Sequence, residues 1–396
     1  MHHAKERTPT SAVATDDPAP IGTVLVVGPS TNSVGGMATV VTQMVRLAEE
    51  CGLPLAFFSL TESGGVGESI AAKLRRHVRF TGELVRQVRA RHATLVHLHT
   101  CSGASFLRSI VDGIAARFAG AGVVVHIHGA KFDEFFQNAN LVFQRAIRGA
   151  LERADAVVAL SAGWKEKLQE IAPAARVVVI ENAVEGPHVT RERALSSTPA
   201  EETAPRSIGL PARFVTLTRL DLWKGVDELL LAARILAQHG VNFELTIAGP
   251  GGSAYDEPTI RARIASLGLE GRVRYVGVVI GLQKSELLAS SDVYVQSSHH
   301  EGLPIAVLEA MVHGLAVVAT SVGATPEFVE PGRHGLLVQP RNAEALASAM
   351  ETLAGDPPRR EAMGRACREL GRTRFSLERF ERDLVDLYGS LSSKPV

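Results

Sequence analysis

DVYVQSSHHEGLPIAVLEAMVHGLAVVATS, residues 292–321, reads as strand, loop, helix and strand. Two continuous β-branched runs flank a segment in which Pro304 opens a helix, the position where proline's missing N–H and fixed φ cost least. Continuous apolar strands joined through a helix are the unit of a parallel sheet covered on both faces. Within this unit Glu301 and Glu309 stand eight positions apart. Helix capping accounts for an acidic group at Glu301, beside a helix N-terminus. It does not account for Glu309, which falls among Val307, Leu308, Met311 and Val312, where an ionised carboxylate needs a partner.

The same alternation extends in both directions. Upstream, TVLVVG (23–28), LAFFSL (55–60), TLVHLH (94–99), VVVHIHG (123–129), AVVALS (156–161) and RVVVIEN (176–182) alternate with helical stretches. A second series comprises RFVTLTRL (213–220), NFELTIAG (242–249), RVRYVG (272–277), DVYVQSS (292–298) and LAVVATS (315–321). Between them residues 186–211 are polar, proline-bearing and aperiodic, as a linker is. The chain thus divides into a tail (1–21), an α/β domain (22–185), the linker, a second α/β domain (212–372) and a C-terminal helix (373–396) expected to pack back towards the first domain. Both domains are expected to be doubly wound parallel sheets facing each other, with the ligand between them at the strands' carboxyl ends.

Composition narrows the function. The 396 residues are 45% hydrophobic with no formal net charge, which suits two globular cores and gives no support to nucleic-acid binding. No run approaches the roughly 18 apolar residues of a membrane span, and residues 1–20 lack a secretory apolar segment, so a cytoplasmic protein with a disordered tail is expected. Cys51, Cys101 and Cys367 have neither CxxC spacing nor a disulfide pattern and are read as reduced core residues.

Polar features cluster just after strands. Arg219 and Lys224 in RLDLWKG flank a helix start, two cations beside free N–H groups, suited to an anion with several oxygens such as a diphosphate; a surface pairing of these cations with Asp221 or Asp227 is the alternative. Gly35 and Gly36 in GPSTNSVGGMATVV allow close backbone approach to a phosphate, but the GxGxxG of a dinucleotide-dependent oxidoreductase is missing. Gly249 ends another strand. His97, His99, His126 and His128 alternate along two strands; without HExxH or i, i+4 ligand spacing no metal site is expected, and His128, at a strand end, suits a polar ligand.

Taken together, EGLPIAVLEAM (301–311) followed by AVVATSVGATPEFVEPGRHGLLV (316–338), RLDLWKG and the early glycine pair resemble the retaining glycosyltransferases of the GT-B fold, group 1 or family 4. The resemblance covers nearly the whole chain after residue 22. VHLHTCSGASFLRS (96–109) and VVVHIHGAKFDEFF (123–136) are similar to members that build bacterial exopolysaccharides or lipid-linked oligosaccharides. The resemblance implies a nucleotide-sugar donor, a saccharide or lipid-linked saccharide acceptor, and no cofactor or metal. It implies Arg219 and Lys224 on the donor diphosphate with the Gly36 backbone, Glu309 on the ribose, and Glu301 on the transferred sugar with the N–H groups of Gly302, Leu303, Pro304 and Ile305 nearby; Pro304 has no N–H, so the other three supply them. It also implies His128 beside the reacting centre and Gly277, Val278 and Val279 along the base. KLRRHVRFTGELVRQVRARH (73–92) is a basic helix suited to anionic lipid, which places the protein peripherally on the cytoplasmic membrane face. A nucleotide-sugar epimerase of the same fold and a non-catalytic nucleotide-sugar-binding protein are the alternatives.

Overall fold

The computed structural model describes residues 21–59, 69–186 and 210–392; nearly all of the expected tail and linker lie outside the described residues. The first sheet contains β1 (Val24–Gly28), β2 (Leu55–Ser59), β3 (Leu95–Thr100), β4 (Gly122–Ile127), β5 (Ala156–Ala159) and β6 (Val177–Val179), in the order β2-β1-β3-β4-β5-β6. All its pairings are parallel. Its helices are α1 (Gly36–Cys51), α2 (Ile70–Ala90), α3 (Ala104–Phe118), α4 (Phe132–Gln137), α5 (Leu141–Arg153) and α6 (Ala162–Ile171). Every residue of β3 is buried, so its two histidines are sealed from water along with its apolar residues.

The second sheet contains β7 (Ala212–Leu217), β8 (Phe243–Ala248), β9 (Val273–Tyr275), β10 (Val293–Gln296), β11 (Ala316–Thr320) and β12 (Gly335–Val338), in the order β12-β11-β10-β7-β8-β9. It is also parallel throughout. Its helices are α7 (Val226–Gln238), α8 (Glu257–Ser266), α9 (Gly281–Ala289), α10 (Ile305–Val312), α11 (Thr325–Phe328), α12 (Ala343–Gly355), α13 (Pro357–Arg374) and α14 (Leu377–Ser392). The strand β12 was not anticipated from the sequence. Three of its four residues are only half buried, so the apolar run is weak; Gly335 is required because a Cβ there would lie 1.9 Å from the Val317 carbonyl oxygen.

Chain order reverses between β7 and β10 in this sheet, and between β1 and β3 in the first. These switch points open a crevice at the strands' carboxyl ends. The domains meet along a seam of buried apolar residues that joins Val26, Met44 and Leu160 of the first domain to Leu303, Ile305 and Met311 of the second. The end of the first domain and the segment returning from the second lie side by side: Val184 N–H donates to the Phe375 carbonyl at 2.9 Å, and Arg374 pairs with Glu181 at 2.6 Å. The final helix α14 then lies against the first domain. Its Tyr388 hydroxyl sits 2.6 Å from His97 Nδ1, and its Ser390 hydroxyl accepts from Arg176 at 2.8 Å. One reading is corrected: Cys51 is exposed at the end of α1 and Cys101 is half buried, so only Cys367 is a core thiol.

Candidate active site

A cleft of about 730 Å³ lies between the domains, lined by both switch points. The sequence-predicted residues Gly35, Gly36, His128, Arg219, Lys224, Gly249, Val278 and Val279 all border it, as do Glu301 to Ile305 and Glu309. Gly277 stands one step behind, where its carbonyl accepts from Gly249 N–H at 2.7 Å. Gly249 itself has φ 143°, and a Cβ there would sit 1.9 Å from the Thr218 carbonyl oxygen, so the β8 exit admits only glycine.

Two helix N-termini face this space. Gly35 caps α1 and Pro304 caps α10, and neither offers a side chain to the free N–H groups, which leaves them available to an anion. The domains are close here: a Cβ on Gly36 would touch Ile305 at 3.6 Å, and one on Gly302 would crowd the His128 carbonyl oxygen at 3.2 Å. The glycine pair is therefore an interdomain feature as well as a loop.

Glu301 does not cap α10. Its Oε1 accepts from Lys224 Nζ at 2.6 Å and from the Ser298 hydroxyl at 2.7 Å. Lys224 also stands over the Trp223 ring at 4.3 Å, a cation–π contact that steadies the ammonium group. Arg219 donates through Nε to Asp221 at 2.9 Å, the surface pairing that was the alternative for this cation, while over half of its side chain remains open to the cleft. Glu309 is paired as a carboxylate in an apolar helix must be. Its partner is Lys284 of α9, at 2.5 Å.

The four histidines form one stack on the inner face of β3 and β4. Successive rings lie 4.2–5.3 Å apart, His99 Nδ1 is 2.8 Å from His128 Nε2, and His97 Nε2 is 3.3 Å from His126 Nδ1. Burial pushes the imidazoles of His97 and His128 down to about 3 and those of His99 and His126 well below their usual value, so all four are neutral at physiological pH. Ring nitrogens of His97, His99 and His126 lie within 4.8 Å of one another. Two of these nitrogens are already engaged: His97 Nε2 faces His126 Nδ1 at 3.3 Å, and His97 Nδ1 faces the Tyr388 hydroxyl. His128, at the cleft end, takes its orientation from His99.

Lys284, Gln296 and Trp223 are among the lining residues that sequence reasoning missed. Lys284 follows the loop assigned to the base, but its pairing with Glu309 spans 25 positions and leaves no local signal. Gln296 ends β10 with neither Nε2 nor Oε1 satisfied, an arrangement visible only in three dimensions. Trp223 stood within RLDLWKG, and its position before Lys224 was a usable clue.

Comparison with known proteins agrees with this geometry. Residues 34–185 match the family described as Glycosyltransferase Family 4, and residues 202–370 match Glycosyl transferases group 1. A D-inositol 3-phosphate glycosyltransferase of Corynebacterium urealyticum is 31% identical over 203 residues, 50% of this chain and 48% of that protein. The match thus spans about half the length of that relative. An alpha-D-kanosaminyltransferase of Streptomyces kanamyceticus is 26% identical across 82% of this chain and 83% of its own. A putative colanic acid biosynthesis glycosyltransferase of Salmonella typhimurium is 30% identical over 45% of each chain. Among solved structures, sucrose-phosphate synthase from Thermosynechococcus elongatus superposes with a TM-score of 0.74 at 18% identity, over 94% of this chain and 99% of that one. Anabaena HepE, solved in complex with UDP, gives 0.70 at 19% identity over 93% and 100%. The chain belongs to the GT-B glycosyltransferases, its first domain of the family 4 type and its second of the group 1 type.

Proposed function

We propose that this protein is a metal-independent retaining transferase that moves a sugar from a nucleoside-diphosphate sugar to a lipid-linked saccharide in the synthesis of a cell-surface glycan. The observation that carries the donor assignment is the convergence of Arg219, Lys224 and two uncapped helix N-termini on one interdomain cleft that also holds Glu301 and Glu309. Fixed cations and helix N-termini stabilise the negative charge that builds on a departing diphosphate, which is the largest demand of the reaction. A nucleoside diphosphate leaves well, so no metal is needed to activate it and no protonated acid is needed on the protein side.

Each residue then has a task. Lys224 and Arg219 exchange Glu301 and Asp221 for diphosphate oxygens when donor enters, with the α1 N-terminus at Gly36 assisting. Glu301, released from Lys224, accepts from hydroxyls of the transferred sugar, and Glu309 accepts from the ribose. Neutral His128 approaches the sugar from the first domain. Retention follows either same-face attack, with a donor phosphate oxygen taking the acceptor proton, or a covalent intermediate. HepE was solved with UDP, and the colanic acid protein carries a polysaccharide role in its name; both support this reading.

The surface of the first domain supports a lipid-linked acceptor presented at the cytoplasmic membrane face. Ile70, Leu74 and Val78 form an exposed stripe on α2, and Val111, Ile114 and Phe118 form another on α3. The two helices are joined through Thr81, whose hydroxyl donates to Asp112 at 2.8 Å. Lys73, Arg75, Arg76 and Arg79 surround the first stripe. Basic residues beside apolar ones suit an anionic bilayer surface, at about 1 kcal/mol per cation. Among the described residues no helix is long and apolar enough to cross a membrane.

Thermal-shift screening against UDP, GDP, ADP and their sugar conjugates, with EDTA present, tests the donor assignment. A ligand at about 100 times its dissociation constant adds about 2.7 kcal/mol to stability. One nucleotide series should stabilise the protein without metal; if none does, the diphosphate assignment fails. Co-sedimentation tests the membrane surface: vesicles containing anionic lipid should retain the wild type, and Leu74→Glu with Phe118→Glu should abolish retention.

A further inference from the structure

We infer that Lys284 is a positioning residue of the nucleotide clamp, holding Glu309 so that the cleft selects a ribonucleoside diphosphate over its 2′-deoxy counterpart. The inference rests on the reading of this cleft as a nucleotide-sugar site and extends it to a residue outside the motifs that brought Glu309 into view. The two side chains come from different helices, Lys284 from the first turn of α9 and Glu309 from the second turn of α10. Both border the cleft, and their charged ends meet at 2.5 Å.

Neighbouring positions of α10 are buried and apolar: Val307, Leu308, Ala310, Met311 and Val312. A carboxylate here stays in place only with a counter-charge, and Lys284 supplies it. The ammonium group binds Oε1 alone. That contact holds Glu309 on the cleft wall and leaves Oε2 and a further acceptor position on Oε1 without a hydrogen-bond partner among the described residues. Two acceptors side by side match the two adjacent hydroxyls of a ribose, and each such charge-assisted bond is stronger than a neutral one. A 2′-deoxyribose fills only one of them and leaves a desolvated acceptor unpaired, which is the condition under which a binding site discriminates strongly.

The structure also separates this role from support of the fold. One residue along α9, the Ser285 hydroxyl lies 2.9 Å from His313 Nε2 at the end of α10, a second link between the same two helices. Replacing Lys284 therefore frees the carboxylate to turn while α9 and α10 stay joined.

The test is calorimetric titration of wild type, Lys284→Met and Lys284→Arg with UDP, 2′-deoxy-UDP, GDP and 2′-deoxy-GDP, with denaturation midpoints measured in parallel. Wild type should favour the ribonucleotide of its preferred base by tenfold or more. Lys284→Met should bind that ribonucleotide about tenfold more weakly and bring the ribose-to-deoxyribose ratio to within about threefold of one, whereas Lys284→Arg should restore most of the preference. In turnover assays the loss in Lys284→Met should fall on donor KM more than on kcat. An unchanged ratio in Lys284→Met overturns the inference, as does a wild type that binds UDP or GDP and their deoxy forms equally; in both cases the donor-site reading stands. If wild type binds none of the four, nor ADP and 2′-deoxy-ADP titrated in the same way, that reading falls and the inference with it. Should Lys284→Met fail to fold, the ratio in Lys284→Gln decides in the same way.

Discussion

The two domains share one architecture and present opposite chemistry to the space between them. The second domain offers charge, and offers it already paired: Lys224 with Glu301, Lys284 with Glu309, Arg219 with Asp221. The first domain offers one charged side chain, Lys131, beside glycine backbone and neutral His128, the cleft end of a column of four neutral histidines. On the proposed reading the anionic donor is met by the side that holds cations, which stand in ion pairs before it binds. An uncharged saccharide is better met by neutral donors and acceptors that need not shed a counter-ion.

That contrast is broken most directly by disarming the charged side. Lys224→Ala and Glu301→Ala should each lower sugar transfer by about a hundred- to a thousandfold, the usual cost of removing one preorganised electrostatic group, while circular dichroism remains that of the wild type. Transfer at the wild-type rate in either variant would end the division of labour described here.

The neutral side is sharpened by pH. Folded, His97 and His128 stay unprotonated down to about 3, and burial holds His99 and His126 well below their usual value, whereas unfolded imidazoles take up protons near 6.5. As pH falls below 6.5 the unfolded chain binds protons that the fold refuses, so stability drops by up to about 1.4 kcal/mol per pH unit for each histidine. Denaturant midpoints at pH 7 and pH 5 should show this loss. His126→Leu should make the slope shallower, and an unaltered slope would mean that the ring is already charged in the fold.

The smallest effect concerns Gln296, on the charged side of the cleft but uncharged and unsatisfied. Gln296→Leu should raise the stability of the ligand-free protein by about 1 kcal/mol, because two buried polar atoms without partners are removed. A fall in the denaturation midpoint would show that the amide has a partner in solution.

The sequence made the framework legible because parallel strands buried on both faces leave unbroken β-branched runs, and each run named in the first domain corresponds to an observed strand. The edge strand β12 escaped because half-buried residues do not form such a run. At the site, Glu309 announced itself by being a carboxylate where the helical pattern demanded an apolar residue. What neutralises it did not, since the identity of a counter-ion is set by how α9 and α10 pack. The histidines were readable as alternating pairs on two strands; that they form one stack, ending on Tyr388 nearly three hundred residues away, follows only from the return of α14.

That return has a consequence for synthesis. Emerging from the ribosome in order, the chain releases β1 to β6 first, yet the helix whose Tyr388 covers His97, and which shares the buried core between the domains, follows both sheets. The domain that starts first is finished last, after the whole of the second sheet has had time to form. Until then the apolar surface that Phe380, Leu384, Leu387 and Leu391 cover stays open to water, where it can be captured by another unfinished chain.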